Sequence, residues 1–346
     1  MLVSSLRLNN YRNYKVKSLS FKPGLNIIIG KNGVGKTNIL ESLIVVSNTK
    51  SFRTLDDRDL IKKDEEYSRI ECLSDKDKFK VVISQNGKRL YINDNPVKKT
   101  SQFIGKLNCI LFKPSDLNLF NDSPKERRRL LDIEIGKVNK EYLNSLLAYN
   151  SLLKDKNKLL KEEKIDNDYL EIIEGKMIEM MKIIIRDRQD FIETINFYIN
   201  DYYKKISGYD GEIKVVYKKC SEIEKLEEDI KRSHEKDFLY HYASFGTHHE
   251  DYYFYMKNER LETIASQGQT RMVLIAFKLA LEEYIRMKIN DVPILLLDDI
   301  LSELDKENKE RLLKIIPSDT QVIITGTDLI GMNITNDFNL IEIKES

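Results

Sequence analysis

The chain has 346 residues, 41% of them hydrophobic and 33% charged. That is enough apolar material for a core but too much chain for one, so two domains or one domain with a large insertion are expected. Lys and Arg number 57 against 56 Asp and Glu, a net charge of +1, so the bulk composition does not mark a nucleic-acid binder and any DNA footprint must be a local patch.

The three cysteines, Cys72, Cys109 and Cys220, are far apart and form no C-x-x-C pair. An odd count argues against a disulfide framework and fits a reducing, cytoplasmic setting. The first residues lack the apolar stretch of a signal peptide, and no run of about 18 apolar residues exists, so no membrane partner is expected. His248 and His249 read as solvated loop histidines rather than a metal cluster, because no Cys or carboxylate stands at a zinc-ligand spacing.

In chain order, Val3–Leu8 and Ser18–Phe21 alternate as strands do. The apolar run Leu25–Ile29 leads into Gly30-Lys31-Asn32-Gly33-Val34-Gly35-Lys36-Thr37. A strand entering G-x-x-x-x-G-K-T is the P-loop of an ATP-binding protein. Small residues let backbone N–H groups curl around phosphates. Lys36 reaches the β- and γ-phosphates, and the Thr37 hydroxyl can ligate Mg2+. The helix from Asn38 points its positive end at the nucleotide.

Tyr67–Leu73, Lys78–Ser84 and Lys88–Ile92 form a β-meander, with turns at Ser74-Asp75 and Asn86-Gly87. Leu107–Phe112 is a further short apolar run. Ser123-Pro124 starts a helical region, with Pro at the first helical position. Residues 138–161 and 168–206 carry apolar side chains at three- and four-residue spacing and read as an antiparallel helical hairpin, an arm of about 45 Å. A strand at 212–217, a charged helical segment at 221–243 and a strand at 252–256 follow. The pattern closes with a helix from Gln267 to about Met287, a strand at 293–297, a helix at 306–315 and a strand at 321–325.

Ile294-Leu295-Leu296-Leu297-Asp298-Asp299 is a buried strand ending in two carboxylates, the Walker B pattern. Ligands sit at the C-terminal ends of strands in an open α/β sheet. Asp298 is expected to hold Mg2+, directly or through water, and Asp299 to orient or deprotonate the attacking water. Ser266-Gln267-Gly268-Gln269 opens a helix with Ser266 as N-cap, and Ser302-Glu303-Leu304-Asp305 follows the Walker B strand.

The order of these elements resembles the ABC-type ATPases of the SMC and recombination-repair group, and within it the RecF family. Leu6–Tyr14, Ser51-Phe52-Arg53-Thr54, Leu111–Leu117, Ser123-Pro124 with Arg127–Asp132, Ser266–Gln269 and Leu295–Asp305 carry the resemblance. It implies an α/β, ABC-type P-loop head, of mixed sheet with helices, built from residues 1–117 and 245–346. A mainly helical domain, 118–244, would be inserted. It further implies that Ser266, Gly268 and Gln269 of one subunit cap the γ-phosphate bound by another, so that ATP drives a homodimer with Asp305 at its seam. Arg12, Asn13 and Arg53 become nucleotide contacts by the same resemblance, and Asp116 would stand near the γ-phosphate. The implied activity is weak, DNA-stimulated ATP hydrolysis as a switch. The implied partners are double-stranded DNA at gaps or junctions, bound without sequence preference, and recombination mediator proteins. Arg127, Arg128 and Arg129 are candidate DNA contacts. Successive helical residues point about 100° apart, so all three cannot face one phosphate row, and an ion-paired face is the other reading. Lys98-Lys99 and Lys218-Lys219 are weaker candidates.

The loop Gly246-Thr247-His248-His249-Glu250-Asp251 departs from the family's Gly-Pro-His-Arg-Asp-Asp, and Thr270 stands where Gln is usual. Two other readings stay open. An ABC transporter ATPase would usually carry Leu-Ser-Gly-Gly-Gln, and an overcoming-lysogenization-type nuclease would need a carboxylate-rich metal domain after the ATPase.

Overall fold

The computed structural model describes residues 1–300, 304–327 and 337–344. In chain order the first elements are β1 (Val3–Tyr11), β2 (Tyr14–Ser20), β3 (Leu25–Ile29), α1 (Lys36–Asn48), β4 (Tyr67–Ser74), β5 (Lys78–Ser84), β6 (Gly87–Ile92), β7 (Asn95–Pro96) and β8 (Cys109–Phe112). Then come α2 (Pro124–Val138), α3 (Lys140–Leu159), α4 (Asn167–Ser207), β9 (Ile213–Lys218), α5 (Leu226–Arg232) and α6 (His234–Tyr240). The remainder is β10 (Asp251–Met256), β11 (Glu259–Arg260), α7 (Leu261–Ile264), α8 (Gln267–Ile289), β12 (Ile294–Asp298), α9 (Lys306–Ile315), β13 (Val322–Gly326) and β14 (Phe338–Glu342). Among the described residues no helix is long and apolar enough to cross a membrane.

The chain divides into two compact units. The first comprises Met1–Asp116, Tyr202–Tyr209 and Leu274–Ser346. Its centre is a five-stranded sheet in the order β14-β3-β13-β12-β8, parallel throughout. Strands buried on both faces read as continuous apolar runs, and Leu295–Leu297, Ile323-Ile324 and Ile27-Ile28 are all buried. Because β3 and β12 are parallel with only β13 between them, their C-terminal ends reach the same edge. A second sheet, β2-β1-β4-β5-β6-β7, is antiparallel. Its alternation puts Leu6, Leu8, Ile70, Cys72, Phe79, Val81 and Leu90 into one core with Ile39, Leu40 and Leu43 of α1.

The second unit comprises Leu117–Asp201 and Asp210–Val273. The helix α2 starts as its sequence prescribes: Ser123 Oγ accepts from the Glu126 N–H and Pro124 is the first helical residue. The helices α3 and α4 run antiparallel, since Asn139 bonds Asp187 at 2.8 Å while Lys156 pairs with Glu174 at 2.8 Å. At 41 residues α4 matches the expected 168–206 to within a residue at each end, and at 1.5 Å per residue it spans about 60 Å, more than the ~45 Å expected of the arm. Where one charged helical segment was expected, two short helices meet at Ser233, whose hydroxyl donates to Ile230 O at 2.7 Å. Residues 245–273, read from sequence as part of the head, cluster with this unit. The cause is pairing of β10 with β9, which sets Tyr252 opposite Tyr217 and Phe254 opposite Val215.

Candidate functional site

The loop between β3 and α1 holds the P-loop residues of the first unit. Gly33 and Gly35 have φ of +85° and +105°, a region that favours glycine. A Cβ on Gly35 would also lie 2.7 Å from both Asn13 Oδ1 and the Tyr14 hydroxyl. Two residues of the β1–β2 turn brace the loop at the same point. Asn13 Nδ2 donates to Val34 O at 3.0 Å and the Tyr14 hydroxyl donates to it at 3.1 Å. Asn38 Nδ2 closes the brace on Asn13 Oδ1 at 2.8 Å.

Lys36 is buried, with Nζ donating to Gly30 O at 2.6 Å and to Lys31 O at 2.9 Å. Burial pulls its pKa below the ordinary lysine value, while the carboxylates of Asp299 and Asp298 act the other way. Among the described residues the Lys36 ammonium bonds to two carbonyl oxygens, with the charges of Asp299 and Asp298 acting on it from nearby, and at the start of a helix it is placed to meet a nucleotide's phosphates.

The parallel sheet brings the second half of the site to this loop. Thr37 Oγ1 donates to Asp298 Oδ1 at 3.0 Å. Thr325, at the end of the intervening strand β13, donates to the same oxygen at 2.8 Å and accepts from the Asp299 N–H at 3.0 Å. Burial pushes the Asp298 pKa up, and the charge of Asp299 adds to the rise. Asp299 itself has φ of +52°, an uncommon setting for a non-glycine residue that turns the chain sharply off β12. Among the described residues no three His, Cys, Asp or Glu converge to hold a metal ion. Thr37 and Asp298 themselves offer hydroxyl and carboxylate oxygens, donors of the kind a hard divalent cation takes.

A buried carboxylate that the sequence reading passed over organises the arginines. Glu41 of α1 is fully buried and takes Arg12 in a two-point pair, Nε to Oε2 at 2.9 Å and Nη2 to Oε1 at 2.6 Å. Ser51 Oγ donates to the same carboxylate at 2.6 Å, and Arg53 lies 3.8 Å away. Arg53 in turn donates to Asn38 Oδ1 at 2.7 Å. Arg12, Asn13, Asn38 and Arg53 thus form one polar chain from α1 to the P-loop. Glu41 and Thr325 escaped detection because neither belongs to a contiguous motif, although Thr325 ends a parallel strand, where ligands gather. Asp116 is drawn into ion pairs with Lys278 at 3.1 Å and Lys113 at 3.5 Å. Asp305 caps α9, accepting from the Asn308 N–H at 2.8 Å. Ser302 and Glu303 lie outside the described residues.

In the second unit, Ser266 and Gln269 close a capping box at the start of α8. Gln269 Oε1 accepts from the Ser266 N–H at 2.9 Å, and Ser266 Oγ accepts from the Gln269 N–H at 3.2 Å. Ser266, Gln267, Gly268 and Gln269 are all exposed, so the helix start is open to a ligand or a second molecule.

The arginine triplet does not form a phosphate row. Arg127 is buried in a two-point pair with Asp251. Arg128 donates to Glu250 O, and Arg129 reaches Glu126 at 3.3 Å. The divergent loop at Gly246 is a structural centre. Glu250 accepts from the buried Arg188 at 2.6 Å and from the Tyr217 hydroxyl. His248 Nδ1 shares a 2.6 Å hydrogen bond with the Tyr149 hydroxyl. Burial and then the neighbouring His249 lower the His248 pKa to about 4.

Residues 2–337 match the RecF/RecN/SMC N terminal domain family. The DNA replication and repair protein RecF of Lachnospira eligens is 35% identical over 339 residues, covering 95% of this chain and 93% of that protein. The protein of the same name from Acholeplasma laidlawii is 36% identical over 346 residues, covering 99% and 98%. A solved structure described as the recombination mediator protein RecF with ATP in the RecFOR pathway superposes with a TM-score of 0.90 at 30% identity, covering 98% of this chain and 97% of that one. The Smc head domain of Pyrococcus furiosus, 18% identical with a TM-score of 0.58, shares the fold. With relatives of this similarity along nearly its whole length, the chain belongs to the RecF family.

Proposed function

We propose that this chain is an ATP-gated DNA-binding protein of recombinational repair, working in the cytoplasm with recombination mediator partners on duplex DNA near single-strand gaps. One observation carries the nucleotide chemistry: Thr37, Asp298, Thr325 and Asp299 form a hydrogen-bonded cluster beside the P-loop lysine, whose ammonium bonds to the carbonyls of Gly30 and Lys31. Lys36 would exchange its two carbonyl partners for the β- and γ-phosphates. Thr37 and Asp298 would hold Mg2+, which when bound neutralises phosphate charge and polarises the γ-phosphoryl group. Asp299 would orient the attacking water, and Arg12 and Asn13 would flank the nucleotide from the β1–β2 turn.

The exposed capping box at Ser266 supports a composite site. Its hydroxyl and helix N-terminus suit the γ-phosphate of a nucleotide held by a second copy. ATP would then join two copies, and slow hydrolysis would release them. Sedimentation velocity with Mg2+ and ATP tests this. Wild type should dimerise, Lys36→Met should stay monomeric without binding ATP, and Ser266→Arg should bind ATP yet stay monomeric. An ATP-dependent dimer of Ser266→Arg would remove the composite site.

A further inference from the structure

Arg127 and Arg128, two of the three arginines that the sequence offers to DNA, bond within their own unit, and the first unit carries an unassigned basic surface. In the antiparallel sheet the residues between the buried ones point outward. Register aligns them in two rows across the strands: Asn9, Arg69, Val82 and Arg89 in one, and Arg7, Glu71, Lys80 and Tyr91 in the other. Arg7, Arg69, Lys78, Lys80 and Arg89 therefore share one face. Their counter-charges are Glu71, which pairs with Arg69 at 3.3 Å, and Asp94, which takes Lys78 at 3.0 Å and Lys80 at 2.8 Å. Five cations against two carboxylates leave a clear excess on a chain whose net charge is +1. Arg7 and Arg89 are exposed, and neither has an ion-pair or hydrogen-bond partner among the described residues.

We infer that this outer sheet face is a docking surface for the sugar-phosphate backbone of duplex DNA, an inference that rests on the DNA-binding reading above. Three strand spacings separate Arg7 from Arg89, about 14 Å at ~4.8 Å each. One DNA strand carries about four phosphates over that length, at one per ~3.4 Å of axis. Arg69 lies between the two, so three guanidiniums form a shallow diagonal. A guanidinium is suited to two-point contact with phosphate, and its weak hydration lowers the cost of contact. A sheet face presents no helix or ribbon that enters a groove to read base edges, which fits binding without sequence preference.

The test is a salt titration of binding to a labelled gapped duplex in Mg2+ and ATP. It compares full-length wild type, Arg7→Gln/Arg89→Gln and a charge-matched control, Lys161→Gln/Lys164→Gln. Removing two phosphate contacts should lower the slope of log affinity against log salt by about 1.8. Affinity at physiological salt should fall about tenfold, while ATP turnover without DNA and thermal stability stay at wild-type values. The control should keep the wild-type slope. An unchanged slope and affinity in the sheet variant, with ATP-dependent binding intact in wild type, would overturn the inference and leave the face to a protein partner. An equal loss in the control would overturn it too, by reducing the effect to net charge. Absence of DNA binding by wild type would refute the DNA-binding reading itself.

Discussion

Glu41→Gln is the perturbation that most directly tests how the nucleotide-site arginines are held. The wild-type carboxylate is fully buried and accepts two bonds from Arg12 and one from Ser51, with Arg53 at 3.8 Å. Glutamine keeps the shape but turns an amide toward guanidinium, so one of the two Arg12 bonds is lost and two cations lose their counter-charge. Removing one partner of a buried ion pair costs about 3–5 kcal/mol. The Arg12 and Arg53 side chains are 19% and 46% exposed and can turn to water, which reduces the expected loss to roughly 2–3 kcal/mol. For a unit of this size that lowers the melting temperature by about 5–10 °C. Differential scanning calorimetry of Glu41→Gln, Arg12→Ala and the double variant reads both the loss and the coupling. Losses should be strongly non-additive, because the second substitution removes a cation already deprived of its partner. A transition within about 1 °C of wild type, or simple additivity, would refute the role given to Glu41.

Asp298→Asn should separate stability from function. The asparagine Oδ1 still accepts from Thr37 and Thr325, and a carboxylate disfavoured by burial and by Asp299 is gone. Without ligand, thermal stability should be equal to or slightly above wild type. The stabilisation of about 2.7 kcal/mol expected from Mg2+-ATP at a hundred times its dissociation constant should vanish, and its survival in a thermal-shift titration would exclude Asp298 as the cation ligand. His248 sets a pH dependence in the second unit. Its pKa is lowered to about 4 in the fold, against about 6.5 in an unfolded chain. Its contribution is complete above pH 6.5 and is lost as pH falls toward 4, on the order of 3 kcal/mol in all. Chemical denaturation of wild type and His248→Asn between pH 4 and 7 should show this slope in wild type alone, and parallel profiles would contradict it.

The parts of the site that were legible in sequence are those whose chemistry is written in contiguous residues. Gly30–Thr37 and Ile294–Asp299 announce a loop and a strand because phosphate cradling and a two-sided buried strand each impose a local pattern. The meander at β4–β6 was legible for the same reason, since alternation across short turns is a nearest-neighbour signal. Glu41 looks like any polar residue on a helix until Arg12 and Ser51 reach it from two other segments. Arg127 reads as a candidate DNA contact in sequence because Asp251, its partner, is 124 positions away. The strand β14 lies beside β3 across more than 300 residues of chain, and its Phe338–Glu342 run is too short to signal pairing by itself. The Gly246 loop shows the same limit in reverse: its departure from the family pattern was plain, but its weight lies in Glu250, which Arg188 and Tyr217 bind from α4 and β9.

The most direct test of the account is fluorescence anisotropy of a labelled gapped duplex titrated with the protein in Mg2+ and ATP, ADP or no nucleotide. Binding that is tight with ATP, weak with ADP or without nucleotide, and lost in Lys36→Met is the predicted result. Equal binding in all three nucleotide states, or none in any, would contradict the claim that the P-loop cluster gates DNA.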